Sequence, residues 1–176
     1  MQNTSDEELM EMLKAGNKAR GEAFATLVRR HTRYFYNVAY RIVLEKETSE
    51  DIVQKAFLKI WEKPDLWSGD KAKFKTWFYR IVCNLAIDDR RRLRPVELDF
   101  DVVDEREEKD SGEQKELYTA LKSIPARQRA AIMLVYFEEK KQIDAAKILG
   151  VGVKALESLL SRGKKQLQQS LKQAMK

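Results

Sequence analysis

Cysteine and histidine each occur once in the 176 residues, as Cys83 and His31. A lone cysteine excludes an internal disulfide, and a lone histidine leaves no second imidazole for a zinc site. Proline (3) and glycine (7) are scarce, so little interrupts a helix, and the abundance of Leu, Ala, Glu, Lys, Gln and Arg favours helix over sheet. The longest unbroken apolar run, Ala130 to Phe137, has eight residues, far short of the roughly 20 that cross a bilayer. The opening MQNTSDEELMEML is acidic where a secretory leader would be basic, so a cytoplasmic protein without membrane insertion is expected. No histidine pair, nucleophile with an adjacent base, or phosphate-cradling glycine loop is found. The expectation is a protein that is not an enzyme, with no cofactor, no metal and no small-molecule substrate.

What is present is apolar content and charge. Hydrophobic residues make up 43% of the chain, enough for real cores and against disorder throughout. Charge is distributed unevenly: residues 1–93 carry 18 Lys and Arg against 14 Asp and Glu, residues 94–116 carry 4 against 10, and residues 117–176 carry 12 against 4. A basic C-terminal third points to a polyanion partner, because each cation set near a phosphate releases a condensed counterion. The same cations would also serve simply to solvate helix faces.

The middle segment, RPVELDFDVVDEREEKDSGEQKE, has Pro95 near its start, carries Ser111-Gly112 near its end and stacks like charges between them. It reads as a self-repelling tether. The chain is therefore expected to be all-α: two small helical domains, residues 1–93 and 117–176, joined by a flexible acidic linker over 94–116.

In the first domain, Ser5-Asp-Glu-Glu8 is a capping-box start for a helix with Leu9, Met12 and Leu13 on one stripe. Gly16 and Gly21 bound its end. A longer helix runs from about Gly21 to Leu44, with Phe24, Leu27, Val28, Phe35, Val38, Ile42 and Val43 recurring at threes and fours. Thr48 and Ser49 are candidate caps for the next helix, whose apolar set is Ile52, Val53, Ala56, Phe57 and Ile60. Leu58 and Trp61, three apart, share the opposite face, and an exposed aliphatic beside tryptophan is typical interface material.

The stretch KFKTWFYRIVCNLAIDDRRR, residues 73–92, splits into two faces. Phe74, Trp77, Phe78, Ile81, Val82 and Leu85 form a core stripe, and Cys83 reads as packing. Lys73, Lys75, Thr76, Tyr79, Arg80, Asn84 and Arg90 to Arg92 are expected outward. Asn84 suits a base edge, Arg80 a base or phosphate, and Tyr79 stacking.

In the second domain, Gln114 to Ser123 and Ala126 to Phe137 read as helices, the latter with Pro125 where its missing N–H costs nothing. Lys141 to Leu149 stops at Gly150, the triplet GVG follows, and Val153 to about Gln173 is a last helix with Leu156, Leu159, Leu160, Leu167 and Leu171 inward. Two helices about a tight glycine turn, the second rich in outward Lys and Arg, make a helix-turn-helix signature. Lys154, Ser158, Ser161, Arg162, Lys164 and Lys165 fall off the leucine stripe, on a face that suits DNA or solvent.

These motifs together resemble the extracytoplasmic-function sigma factors, the two-domain class of RNA polymerase specificity subunits. EDIVQKAFLKIWE resembles the family's core-binding helix, FKTWFYRIVCNLAIDDRRR the helix after the promoter-melting loop, and SIPARQRAAIMLVYFE with AAKILGVGVKALESLLSRGKKQL the domain that reads the upstream element. The resemblance covers Phe24 to Leu171. It implies a region 2-like helical bundle and a region 4-like helix-turn-helix. It also implies core RNA polymerase, double-stranded promoter DNA, single-stranded minus-ten DNA and an anti-sigma factor as partners.

By resemblance, Asp51, Gln54, Lys55, Leu58 and Trp61 would meet polymerase. The loop KPDLWSGDKAKF would capture a flipped base, with Trp67, Ser68, Asp70, Lys71 and Lys73 as its walls and partners. Lys75, Tyr79, Arg80, Asn84 and Arg91 would continue the minus-ten surface. Lys154, Glu157, Ser158, Ser161, Arg162, Lys164 and Lys165 would read the minus-35 element. The linker would pass the RNA exit region. Here Ala155-Leu156-Glu157-Ser158-Leu159 stands where the family commonly has Thr-Val-Lys-Ser-Arg, and Asp144-Ala145-Ala146 also departs from the pattern. Glu157 suits a cytosine amino group or repels phosphate. Two other readings remain at this point: a sigma-like mimic that sequesters an anti-sigma factor, and a helix-turn-helix regulator that uses its first domain to dimerise or sense a ligand.

Overall fold

The computed structural model describes residue 1, residues 3–89 and residues 112–174. Among these the chain forms eight α-helices and no strand: α1 (Asp6–Ala15), α2 (Arg20–Val43), α3 (Lys46–Glu62), α4 (Phe74–Asp88), α5 (Gly112–Lys122), α6 (Ala126–Ile132), α7 (Gln142–Leu149) and α8 (Val153–Ala174). A single 3₁₀ turn, Pro64–Leu66, follows α3, and a π-helical turn, Met133–Phe137, extends α6.

The local signals that start and stop helices act as expected at several points. Ser5 and Glu8 form both halves of a capping box on α1, and Gly16 closes that helix at φ +62°. Gly150 closes α7 at φ +67°, a left-handed conformation that glycine adopts without Cβ strain. The start of α3 differs. Thr48 and Ser49 are buried inside the helix, which begins at Lys46. Their hydroxyls instead bond back to Glu45, Thr48 Oγ1 to its carboxylate and Ser49 Oγ to its carbonyl, so both are satisfied without capping.

The first lobe packs α1, α3 and α4 around α2. Its centre is aromatic: Phe35 lies edge-on to Phe78 at 4.7 Å, Phe57 lies 4.8 Å from Phe78, and Phe74 stacks on Phe78 at 5.3 Å. Cys83 sits in this core, where burial and then the nearby Glu138 charge push its thiol above the ordinary range. The second lobe wraps α5, α6 and α7 around α8, burying Ala130, Ala131, Leu134, Ala146, Leu149, Leu156 and Leu160. At the α6–α8 crossing, Gly163 is buried, and a Cβ there would lie 2.9 Å from Ile132 Cδ1 and 3.3 Å from Gln128 Cβ. Glycine lets the two helix backbones approach.

Two boundaries depart from expectation. Helix α5 begins at Gly112, inside the expected linker, because a glycine in a first turn need not break a helix; residues 94–111 of that linker lie outside the described residues. The expected helix from Ala126 to Phe137 is divided, its last turn being π-helical.

The lobes are also packed on each other, with α6 against α2 and α4, and α7 against α4. At this junction Arg129 is 6% exposed. Its Nε donates to the Ile42 carbonyl at 2.7 Å, and its Nη1 to the carbonyls of Leu121 at 3.1 Å and Ile124 at 2.9 Å. A buried cation needs this many acceptors to offset its lost hydration. Replacing it as Arg129→Met should lower stability by about 2–4 kcal/mol, read as a fall in the urea midpoint; an unchanged midpoint would refute this role.

Candidate polymerase and nucleic-acid surfaces

Between α2 and α3 runs an apolar groove of about 490 Å³, walled by Gly21, Phe24, Val28 and Thr32 on one side and Val53, Gln54, Phe57, Leu58 and Trp61 on the other. Trp61 is half-buried, its ring 5.0 Å from Phe24, with the Arg20 guanidinium 4.3 Å over it. Arg20 also donates to the Trp61 carbonyl at 2.5 Å, fixing the end of α3. Leu58 is 51% exposed at the rim. Along α3, Gln54 and Lys55 are exposed and Asp51 is intermediate, with Lys55 Nζ 2.7 Å from Asp51. The α3 residues singled out in the sequence therefore share one exposed side. The opposite wall was missed, because Phe24 and Val28 obey the core period; the absent side chain at Gly21 was the available signal of open space.

The loop after α3 is built around Trp67, and here the sequence expectation is corrected. Trp67 is only 2% exposed. Its Nε1 donates to the Ala72 carbonyl at 3.0 Å, and Lys14 Nζ lies 4.6 Å over its ring. The ring is an anchor of the loop rather than a free stacking platform, since an indole this large gains more from burial than from solvent. Gly69 makes room for it: a Cβ there would stand 3.2 Å from the Trp67 ring. The Ser68 carbonyl accepts from Lys71 N at 3.1 Å and Ala72 N at 3.3 Å, turning the chain. From α1, Glu7 accepts from Phe74 N at 3.1 Å and caps α4. The remaining loop side chains, Asp70, Lys71 and Lys73, are exposed, and Ser68 is intermediate.

On α4, Lys75, Arg80 and Asn84 are exposed in continuation of the loop, Lys75 with Nζ 4.2 Å over the Tyr34 ring. Tyr79, expected outward, is 1% exposed. Its hydroxyl lies 3.7 Å from Met133 Sδ, and Lys140 Nζ sits 5.4 Å over its ring. Burial, and then the Glu138 charge, push this hydroxyl well above the ordinary tyrosine range. Tyr34 and Phe35 of the first lobe flank the Tyr79 ring, and Met133 and Lys140 of the second lobe pack over it. Arg91 lies outside the described residues.

On α8, Lys154, Glu157, Ser158, Ser161, Arg162, Lys164 and Lys165 are all exposed, while Leu156, Leu160 and Gly163 face inward. Lys164 Nζ rests 4.5 Å over the Tyr136 ring. Leu159 and Leu167 are only partly buried, as befits a helix packed along a narrow stripe. One face thus presents cations, hydroxyls and a single carboxylate, the mixture that contacts phosphates and base edges.

Trp67→Ala should cost about 3–5 kcal/mol as a core truncation, whereas Lys71→Ala should leave stability within about 0.5 kcal/mol. Paired thermal melts would check the contrast; equal melting temperatures would return Trp67 to the surface.

Residues 27–95 match Sigma-70 region 2 and residues 114–167 match Sigma-70, region 4. Among similar proteins, the ECF RNA polymerase sigma factor SigW of Bacillus subtilis is 28% identical, over 91% of this chain and 95% of its own. RNA polymerase sigma factor NccH of Alcaligenes xylosoxydans xylosoxydans is 31% identical, over 82% of this chain and 84% of its own. Among solved structures, CnrH in complex with the cytosolic domain of CnrY superposes with a TM-score of 0.66 at 25% identity, covering 96% of this chain and 98% of that one. The sigma factor RpoE in complex with the anti-sigma factor NepR from Bartonella quintana gives a TM-score of 0.65 at 23% identity, covering 85% and 96%, a likeness of fold.

Proposed function

Because the chain belongs to the extracytoplasmic-function class of sigma-70 family factors, we propose a division of labour among the three surfaces just described. As a member of that class it directs promoter-specific transcription and catalyses no covalent step. The groove between α2 and α3, with Leu58, Trp61, Gln54 and Asp51 on its α3 side, would receive core polymerase, because an exposed leucine beside a half-buried tryptophan forms an apolar anchor with a polar rim. The loop at Ser68, Asp70, Lys71 and Lys73, continued by Lys75, Arg80 and Asn84, would hold unpaired minus-ten bases. Favouring splayed bases over duplex lowers the cost of strand separation by differential binding. The outward face of α8 would dock on the minus-35 element.

The observation that carries this reading is the α8 face, where every one of the seven residues picked from the sequence is exposed while the intervening leucines and Gly163 turn inward. The loop contributes through its polar groups alone, since Trp67 is buried. Among the described residues no helix is long and apolar enough to cross a membrane, in keeping with work in the cytoplasm, where polymerase and chromosome meet. An anti-sigma factor, as bound by the Bartonella quintana RpoE, completes the set of partners.

Core polymerase supplied with the purified chain should transcribe a subset of a genomic promoter panel. The double variant Asp51→Ala, Gln54→Ala should lose at least about tenfold in core affinity, equivalent to ~1.4 kcal/mol, while keeping its helical circular dichroism. Lys71→Ala with Lys73→Ala should instead retain core binding and slow opening, followed by thymine reactivity to permanganate near minus ten. No stimulated transcript from any fragment would reject this function and favour a sequestering mimic.

A further inference from the structure

Helix α4 starts where its own sequence offers nothing to start on. Its N-cap is Lys73, which makes no side-chain capping bond, and its first turn holds no acidic residue. Lys71, Lys73 and Lys75 are exposed at the same end, beside the positive pole of the helix dipole. The missing oxygen comes from α1. Glu7 Oε1 accepts from the Phe74 amide at 3.1 Å, and its charge offsets part of that cationic crowding.

Lys14 stands seven residues after Glu7 on α1, two turns on, so the two side chains share a face. Lys14 Nζ lies 4.6 Å over the Trp67 ring. Trp67 and Phe74 are the two ends of the loop, so α1 holds it at both, and Trp67 Nε1 on the Ala72 carbonyl at 3.0 Å closes it between them. Helix α1 is itself fastened to α2, where Arg30 and His31 take Asp6 at 3.0 and 2.8 Å. The His31 ring in turn lies 5.4 Å from that of Phe74.

Helix α1 lies outside residues 27–95, the part of the chain that matches Sigma-70 region 2. Beside a loop that holds unpaired bases, its geometry has a use. A loop ordered only as it binds loses part of its interaction free energy to the ordering, and a loop held in place beforehand does not. Sign separates this from a plain effect of charge. Glu7 is an anion beside a cationic surface, so its removal strengthens DNA binding if charge alone counts, and weakens it if position counts.

We propose that Glu7 is a positioning residue for promoter opening: from α1 it fixes the start of α4, and with Lys14 on Trp67 it sets where Lys71 and Lys73 meet unpaired minus-ten bases. This rests on the reading of the loop as part of the minus-ten surface.

The test compares wild type, Glu7→Ala and Glu7→Gln, the last keeping an acceptor oxygen without the charge. In the free chain, hydrogen exchange of the Phe74 amide, and of the Lys71 and Ala72 amides bonded to the Ser68 carbonyl, should be about fivefold faster in Glu7→Ala. Holoenzyme made with core polymerase is then measured on a promoter fragment that the wild type transcribes. Glu7→Ala should bind a single-stranded oligonucleotide of its non-template minus-ten strand about fivefold more weakly, and slow opening followed by permanganate to match, with core affinity unchanged. Glu7→Gln should lie nearer wild type than Glu7→Ala in both assays. Added to Lys71→Ala with Lys73→Ala, Glu7→Ala should weaken single-strand binding by no more than about a further twofold, since it acts through those side chains. Unchanged amide exchange, unchanged or tighter single-strand binding by Glu7→Ala, an equal loss in Glu7→Gln, or the full loss repeated in the triple variant would each overturn the proposal. Faster exchange in Glu7→Ala while even wild type transcribes no fragment would reject the minus-ten reading and the role built on it, and leave the link between α1 and the loop standing.

Discussion

Arg129 carries a full positive charge into a place with almost no water, and the carbonyls of Ile42, Leu121 and Ile124 turn toward it. Two of them belong to the last turns of α2 and α5, where unpaired carbonyls and the negative end of the helix dipole favour a cation. Because the guanidinium is planar and rigid, it fixes not only how close these ends come but at what angle. Helix α6 starts just before it, with Pro125 at the cap, so the seat of Arg129 also sets how α6 follows α5. Through the Ile42 carbonyl it ties that lobe to the longest helix of the first.

From that junction the surfaces sort by chemistry. The apolar groove lies between α2 and α3, the polar loop is held by Trp67 from below and by Glu7 at its far end, and the basic face of α8 points away from its leucine stripe. Helix α1, to which no DNA contact is assigned, is therefore part of how the loop is shaped. It supplies both the Lys14 ammonium over the Trp67 ring and the carboxylate that caps α4. His31 and Arg30 hold α1 in turn, through Asp6 at 2.8 and 3.0 Å. The loop is thus braced by side chains distant in sequence.

Much of the fold was legible because it rests on local rules. The capping box at Ser5, the glycine stops at 16 and 150, and the 3.6-residue stripes each need only neighbours in sequence. What was not legible depends on distant partners. Trp67 sits in a polar loop, and nothing local indicates that Ala72 and Lys14 enclose it. Tyr79 is next to the core stripe of α4, and its burial is completed by Met133, in the π-helical turn of the other lobe, beyond any window of periodicity. Thr48 and Ser49 are good capping types that found bonds to Glu45 one turn back instead. The α8 face was readable, by contrast, because a solvent face is defined by what the leucines leave over. The π-helical turn that delivers Glu138 had no sequence signal at all.

The missing side chain at Gly163 has a consequence for how such a protein changes over generations. With Ile132 and Gln128 occupying the space a side chain there would need, α8 is seated closely on α6, and its outer positions keep their bearings. Preference for a different DNA sequence is then reached by exchanging the outer residues one at a time, on a helix that stays where it is. The scaffold is held constant by a hydrogen atom, and the alphabet on its far side is left free to drift.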